Sequence, residues 1–144
     1  MLVSQILKSK AEDTVVTAPP GMKVSEAAKI LSEKRIGTIV VSEDGKKALG
    51  ILSERDIVRE LGNQGATVME QAVEKLMTSK LVTCKREDRA DEILQTMTDG
   101  RFRHMPVVED GMLVGIVTLG DVVKARLTEL SMERNALEGM IMGH

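Results

Sequence analysis

Aromatic rings are almost missing from this chain: among 144 residues there is one Phe, with no Trp and no Tyr. A core must therefore come from Val, Ile, Leu and ten Met, and the Met residues read mostly as filler for irregular gaps. Cysteine is nearly absent too. The single Cys84 excludes an internal disulfide, and with only two histidines it leaves little material for a metal site. Excess positive charge is lacking: the net charge of -2 argues against general nucleic-acid binding, which relies on Lys and Arg to displace counterions. No apolar run approaches bilayer-spanning length, and Met1 to Lys8 does not form a signal-peptide core, so the expected setting is the cytoplasm, away from membranes. Ser/His/Asp sets, metal-ligand spacings and G-x-G-x-x-G are missing as well, and nothing points to catalysis or a catalytic cofactor.

What is present is a hydrophobic content of 42% with 29% charged residues, suited to a soluble globular domain or two small lobes sharing a core. It also contains one phrase twice. Gly50-Ile51-Leu52-Ser53-Glu54-Arg55-Asp56 returns as Gly115-Ile116-Val117-Thr118-Leu119-Gly120-Asp121. A shift of 66 positions superposes Val16 on Val82, Arg35 on Arg101, Val41 on Val107 and Asp44-Gly45 on Asp110-Gly111. One extra residue in the first hairpin changes the shift to 65 for Gly50, Asp56 and Val58 against Gly115, Asp121 and Val123. Register held over a whole half identifies an internal repeat. Cys84 falls on Ala18, a small residue, which gives it a structural role.

Periodicity supplies the elements. Leu2, Val3, Ile6 and Leu7 predict a short docking helix, Thr14 to Thr17 a strand, Val24 to Lys34 a helix, Ile39 to Val41 and Ala48 to Leu52 a hairpin, and Asp56 onward a helix that stops at Gly62. Val68 to Met77 predicts a second docking helix. Leu81 to Thr83 then reads as a strand, Asp88 as a helix N-cap with Asp91 in the capping-box position, His104 to Val108 and Leu113 to Thr118 as a hairpin, and Leu119 as a helix start. The expected fold is α/β (α+β): two β-α-β-β-α repeats packed through their sheets with pseudo-twofold symmetry and two equivalent clefts, plus N- and C-terminal helices. Residues 1–66 form the first repeat with its N-terminal helix, 67–130 the second with a linker helix, and 131–144 a helical tail.

Ser53 with Asp56, and Thr118 with Asp121, fit a capping box, in which the hydroxyl caps a helix and the acid three positions on reaches back. The same geometry suits a ligand. A helix start presents free N–H groups to a phosphate, and an aspartate can accept from both hydroxyls of a ribose. The strand Phe102-Arg103-His104-Met105-Pro106-Val107-Val108 adds charge where burial is costly unless an anion or solvent meets it. Arg35, Arg55 and Arg59 read as surface charges by default, though Arg55 lies inside the first phrase and can meet a phosphate there.

The two phrases, the Arg-His-Met-Pro-Val-Val strand, the Asp-Gly hairpins and Val73-Glu74-Lys75-Leu76-Met77-Thr78 together resemble a tandem pair of cystathionine-β-synthase (CBS) domains, a Bateman module. The resemblance covers Val3 to Ala125. It is greatest to stand-alone bacterial CBS pairs without an enzyme domain, kin to the regulatory inserts of inosine-monophosphate dehydrogenase and the γ subunits of AMP-activated kinase. It implies a regulatory module that binds adenosyl ligands (AMP, ADP, ATP, NAD(H) or S-adenosylmethionine) in two clefts and dimerises.

By that resemblance Asp121 holds the ribose hydroxyls, Thr118 the ribose or phosphate, the Val82-Thr83 backbone the adenine edge, Phe102 the base pocket, Arg103 and His104 the phosphates, and Thr78 the mouth of the same cleft. The first-repeat equivalents are Asp56, Ser53, Val16-Thr17 and Ile36, with Lys8 where Thr78 stands. There Gly37-Thr38 replaces Arg103-His104 and Val40 replaces Pro106, so the clefts are unequal.

Beyond the repeats, Val123, Leu127, Leu130, Leu137 and Ile141 alternate by four and three, broken at Arg134 and weakened by Gly139. This stripe suits packing on the chain's own body or on a second copy, and a homodimer is the expected state, with an unidentified protein target as a further partner. The rival to ligand sensing is a structural dimerisation or interaction module whose hydroxyl-acid pairs only cap helices.

Overall fold

The computed structural model describes residues 1–10 and 15–141. Its elements follow the repeat: α1 (Val3–Ser9), then β1 (Thr17–Ala18), α2 (Val24–Lys34), β2 (Thr38–Val41), β3 (Gly50–Ser53) and α3 (Glu54–Gln64), then two 3-10 turns (Ala66–Glu70 and Val73–Lys75), then α4 (Ala90–Gly100), β4 (His104–Glu109), β5 (Met112–Thr118) and α5 (Leu119–Ile141). In the first repeat β1 runs parallel to β2, and β2 antiparallel to β3 with Thr38 opposite Ser53 and Val41 opposite Gly50. In the second, β4 and β5 form the hairpin, and β1 has shrunk to one parallel bridge between Cys84 and Val107. That bridge keeps the repeat register, since Ala18 pairs with Val41. Each half is thus a β-α-β-β-α repeat.

The chain forms two compact units, and they do not coincide with the sequence halves. One runs from β1 through the 3-10 turns to Val82 and takes in Val108–Val114; the other gathers α1, Thr83–Val107 and the chain from Gly115 onward. So α1 belongs in space with the second repeat, and the segment after α3 belongs with the first. In the first unit Ala18, Val24, Ala27, Leu31, Ile39, Val41, Leu52 and Ile57 pack with Val68, Val73 and Leu76. In the second, α1 contributes Val3 and Ile6, buried like Ala90, Ile93, Met97, Met105, Val107, Val117 and Val122 of the repeat itself.

The glycine that leads each phrase explains this docking. A Cβ at Gly50 would stand 2.5 Å from the Met77 sulfur and 2.9 Å from the Thr78 carbonyl oxygen; at Gly115 it would stand 2.9 Å from a Leu7 methyl. Only a residue without a side chain lets a lead-in segment cross the strand so closely. At the first site the approach closes an exposed edge. Thr78 N–H donates to Ile51 C=O at 2.8 Å, and Ile51 N–H returns a bond to Thr78 at 3.0 Å.

Several expectations are corrected. Strand β1 is Thr17–Ala18, and Thr14 lies outside the described residues. Residues Leu81 to Thr83 hold no strand, only the bridge at Cys84. The second docking helix is two 3-10 turns, because Ala72 is extended and bridges to Lys23. Helix α3 passes Gly62 and ends at Gln64. Asp88 caps no helix: its carboxylate accepts from Lys85 N–H at 2.8 Å in the preceding turn, and the N-cap of α4 is Arg89, with no side-chain bond. Helix α5 runs unbroken through Arg134 and Gly139, so residues 131–141 are its continuation. Met97 and Met105 fill the core, whereas Met132 and Met140 lie exposed on α5.

Helices α2 and α4 end alike. Arg35 and Arg101 take the left-handed conformation (φ 53 and 56), and the next residues, Ile36 and Phe102, donate backbone N–H to Leu31 and Met97 carbonyls at 3.1 and 3.2 Å. This is a Schellman ending, usually built on glycine. Replacing Arg101 with Gly should therefore raise unfolding free energy by about 0.5–1 kcal/mol. Replacing Gly50 with Ala should lower it by about 1–3 kcal/mol, and more than Gly115→Ala, because the obstacle at Gly50 includes backbone. Urea denaturation of the three variants measures both differences.

Candidate functional site

Both capping boxes form. At the start of α3, Ser53 N–H donates to Asp56 Oδ2 at 2.9 Å, and Asp56 N–H donates to Ser53 Oγ at 3.2 Å. At the start of α5, Thr118 N–H donates to Asp121 Oδ2 at 2.9 Å, and Asp121 N–H to Thr118 Oγ1 at 3.1 Å. A second link ties each helix start to the strand that opens its hairpin: Glu54 N–H donates to Gly37 C=O at 2.9 Å, and Leu119 N–H to Arg103 C=O at 2.8 Å.

The two carboxylates differ in what they have left to offer. Asp56 is 7% exposed and fully engaged, with Oδ2 also accepting from Ser53 Oγ at 3.0 Å and Oδ1 holding Arg59 at 3.1 Å. Asp121 is more open, and its Oδ1 takes no hydrogen bond from the described residues. Its Oδ2 is met at 2.9 Å by the Lys10 ammonium, which also donates to Ile116 C=O at 2.8 Å. Burial acts to raise the Asp121 pKa. The Thr118 backbone bond, the bond and charge of Lys10, and the Thr118 hydroxyl outweigh it and hold the carboxyl below its ordinary value of 3.8.

The remaining expected residues fall into the two units. Thr78 lies with β3 of the first repeat, and Lys8 ends α1 beside the Gly115 phrase in the other unit. Each lead-in segment docks on the phrase of the other repeat: Thr78 bridges to Ile51, and Leu7, the neighbour of Lys8, packs on Gly115. Val16 C=O accepts from Val40 N–H at 3.1 Å, and Ala18 C=O from Ser42 N–H, so the intervening Thr17 backbone faces the open side of the sheet. Cys84 N–H donates to Pro106 C=O at 3.0 Å, leaving the Thr83 backbone similarly turned from β4, with Val82 exposed beside it.

Ile36 and Phe102 are the apolar residues of the two Schellman endings, and the Phe102 ring lies directly over Gly100. Their helix-ending role is structural whatever else they line. Arg103 is exposed just ahead of β4, which half-buried His104 opens. Arg55 lines a shallow open depression of about 410 Å³ on α3 with Glu54, Val58 and Arg59.

Sequence reasoning missed Lys10. It chose Lys8, which is exposed in the last turn of α1. The signal was the helix end itself: α1 stops at Ser9, and Lys10 turns extended, which redirects its side chain. Among the described residues no group of three or more His, Cys, Asp or Glu side chains converges to hold a metal, and no helix is long and apolar enough to cross a membrane.

Comparison with known proteins agrees with this architecture. The CBS domain family matches residues 3–63 and 73–128. A CBS domain-containing mitochondrial protein of Arabidopsis thaliana is 33% identical over 98% of this chain and 72% of its own length. The crystal structure of a CBS-domain containing protein from Agrobacterium tumefaciens superposes with a TM-score of 0.83 at 42% identity, covering 88% of this chain and 99% of that one. The CBS domain pair of protein MJ0100, solved in complex with 5'-methylthioadenosine and S-adenosyl-L-methionine, superposes at 0.77 with 27% identity, over 90% of this chain and 98% of that one.

Because the Asp121 pKa is lowered on folding, its ionised form stabilises the protein above about pH 3.8, and that contribution is lost as pH falls through the lower folded value. Asp121→Asn should be less stable than the parent at pH 6, with the gap narrowing toward pH 3. Urea midpoints across that range test the sign.

Proposed function

The chain belongs to the CBS domain family, and from that premise we propose that it is a non-catalytic regulatory module that binds an adenosyl ligand at the Thr118–Asp121 turn. One observation carries the reading: Asp121 is fixed by its capping box yet its Oδ1 takes no hydrogen bond from the described residues, at a helix start whose partial positive charge favours an anion. The complex of the MJ0100 CBS pair with two adenosyl compounds supports the ligand class. In this reading Asp121 accepts from the ribose hydroxyls, Thr118 and the first turn of α5 face the phosphate with Arg103 and His104, and the exposed Thr83 edge reads the adenine beside Val82 and Phe102. AMP, ADP, ATP, NAD(H) and S-adenosylmethionine are the candidates.

Ser53, Asp56, Thr78, Val16, Thr17, Ile36 and Arg55 build the corresponding first-repeat features. Arg59 competes with a ribose for Asp56 Oδ1, so this site is the weaker. Binding ties α5 to the strands before it and so shifts the conformational population that a partner protein reads.

A second reading rests on α5. Leu127, Leu130, Leu137 and Ile141 are 63%, 48%, 59% and 83% exposed, a stripe suited to a homodimer interface. In that reading the capping boxes serve stability alone.

Calorimetric titration with AMP, ATP, NADH and S-adenosylmethionine decides between them. At least one should bind, and Asp121→Ala should weaken it tenfold or more, an effect on the order of one lost charge-assisted hydrogen-bond pair. Absence of heat and of thermal shift with all four sinks the sensing proposal. Truncation after Leu130 should convert a dimer to monomer in sedimentation, and an unchanged dimer removes the tail from the interface.

A further inference from the structure

The Lys10 ammonium sits where a reader of ligand charge has to sit. It comes from the segment after α1, reaches across to β5, and is held by two bonds, to Asp121 Oδ2 at 2.9 Å and to Ile116 C=O at 2.8 Å. Its side chain is 19% exposed, so its charge is poorly screened. Asp121 Oδ2 already serves the Thr118 N–H, so the carboxylate keeps its capping role without the lysine. The ion pair is therefore surplus to helix capping. Nor does it anchor α1, which docks through buried Val3 and Ile6 and through Leu7 against Gly115.

Among the described residues, Asp121 is the one acid bonded to Lys10 or to this turn. Arg103 C=O holds Leu119 N–H at 2.8 Å, which places that residue at the first turn of α5. The helix start adds its own partial positive charge. Asp121 offsets the lysine charge, and the helix start leaves a partial positive charge beside the carboxylate that the proposed function assigns to ribose. A ribose hydrogen-bonded to Asp121 stands next to the Lys10 ammonium, whose charge attracts an anionic 5' substituent and repels a cationic one.

We propose that Lys10 is the specificity-determining residue of this site, selecting adenosyl ligands whose 5' substituent is a phosphate or pyrophosphate over those with a neutral thioether or a cationic sulfonium. The inference rests on the ligand reading given above and adds to it the class of ligand.

The test compares AMP, 5'-methylthioadenosine and S-adenosylmethionine on the intact chain, the Lys10→Met variant and the charge-keeping Lys10→Arg variant. The parent should bind AMP at least tenfold more tightly than either sulfur compound. Lys10→Met should reduce that preference by about tenfold, while Lys10→Arg keeps most of it, as expected for one unit charge near a phosphate. Raising ionic strength should erode the preference in the parent more than in the Met variant. Equal preference in the parent and the Met variant overturns the role of Lys10 but leaves the ligand site standing. Failure of all three compounds to bind the parent overturns the ligand site and this inference with it. Should the Met variant fold poorly, the salt dependence of the parent alone decides: a preference for AMP that salt does not change refutes a charge-based choice.

Discussion

Everything distinctive in this molecule depends on a carboxylate bonded back to the residue three positions before it. At Ser53–Asp56 and Thr118–Asp121 the acid accepts the N-cap backbone N–H while the hydroxyl accepts the acid's own N–H. The bond pair ends the strand, starts the helix and fixes one carboxylate rotamer. A rigid acid at a helix start is a structural device that costs nothing extra to use as a ligand device. What separates the two copies is the other carboxylate oxygen, which Arg59 occupies in the first and nothing among the described residues occupies in the second.

The lead-in segments complete that device. Glycine at the head of each phrase removes the side chain that would block them, and the gap is filled by Met77 and Thr78 in one unit and by Leu7 in the other. The consequence is chemical as well as mechanical. The first phrase gains a backbone ladder at Ile51, whereas the second gains a lysine. Duplication therefore made two similar frames, and the segments laid across them made the frames unlike.

Much of this was legible beforehand. The 66-residue register predicted paired caps and paired hairpins, and Asp110-Gly111 indeed makes its turn with two positive φ values (50 and 77). The Arg35 and Arg101 helix endings were not legible, because arginine carries no left-handed signal and only the tertiary demand for a turn forces it there. Short segments misled for a related reason. Residues Val68 to Met77 have apolar spacing compatible with a helix, but Ala72 is drawn into a bridge with Lys23, and two 3-10 turns result.

The amino-acid sequence alone determined the repeat and both capping boxes, since these arise from local chemistry at fixed spacing. Tertiary structure decided which lead-in segment docks on which phrase, and that Lys10 rather than Lys8 faces Asp121. Those outcomes depend on where a chain turns in space. Residues 106 positions apart, like Lys10 and Ile116, carry no mark of their bond in their own neighbourhoods.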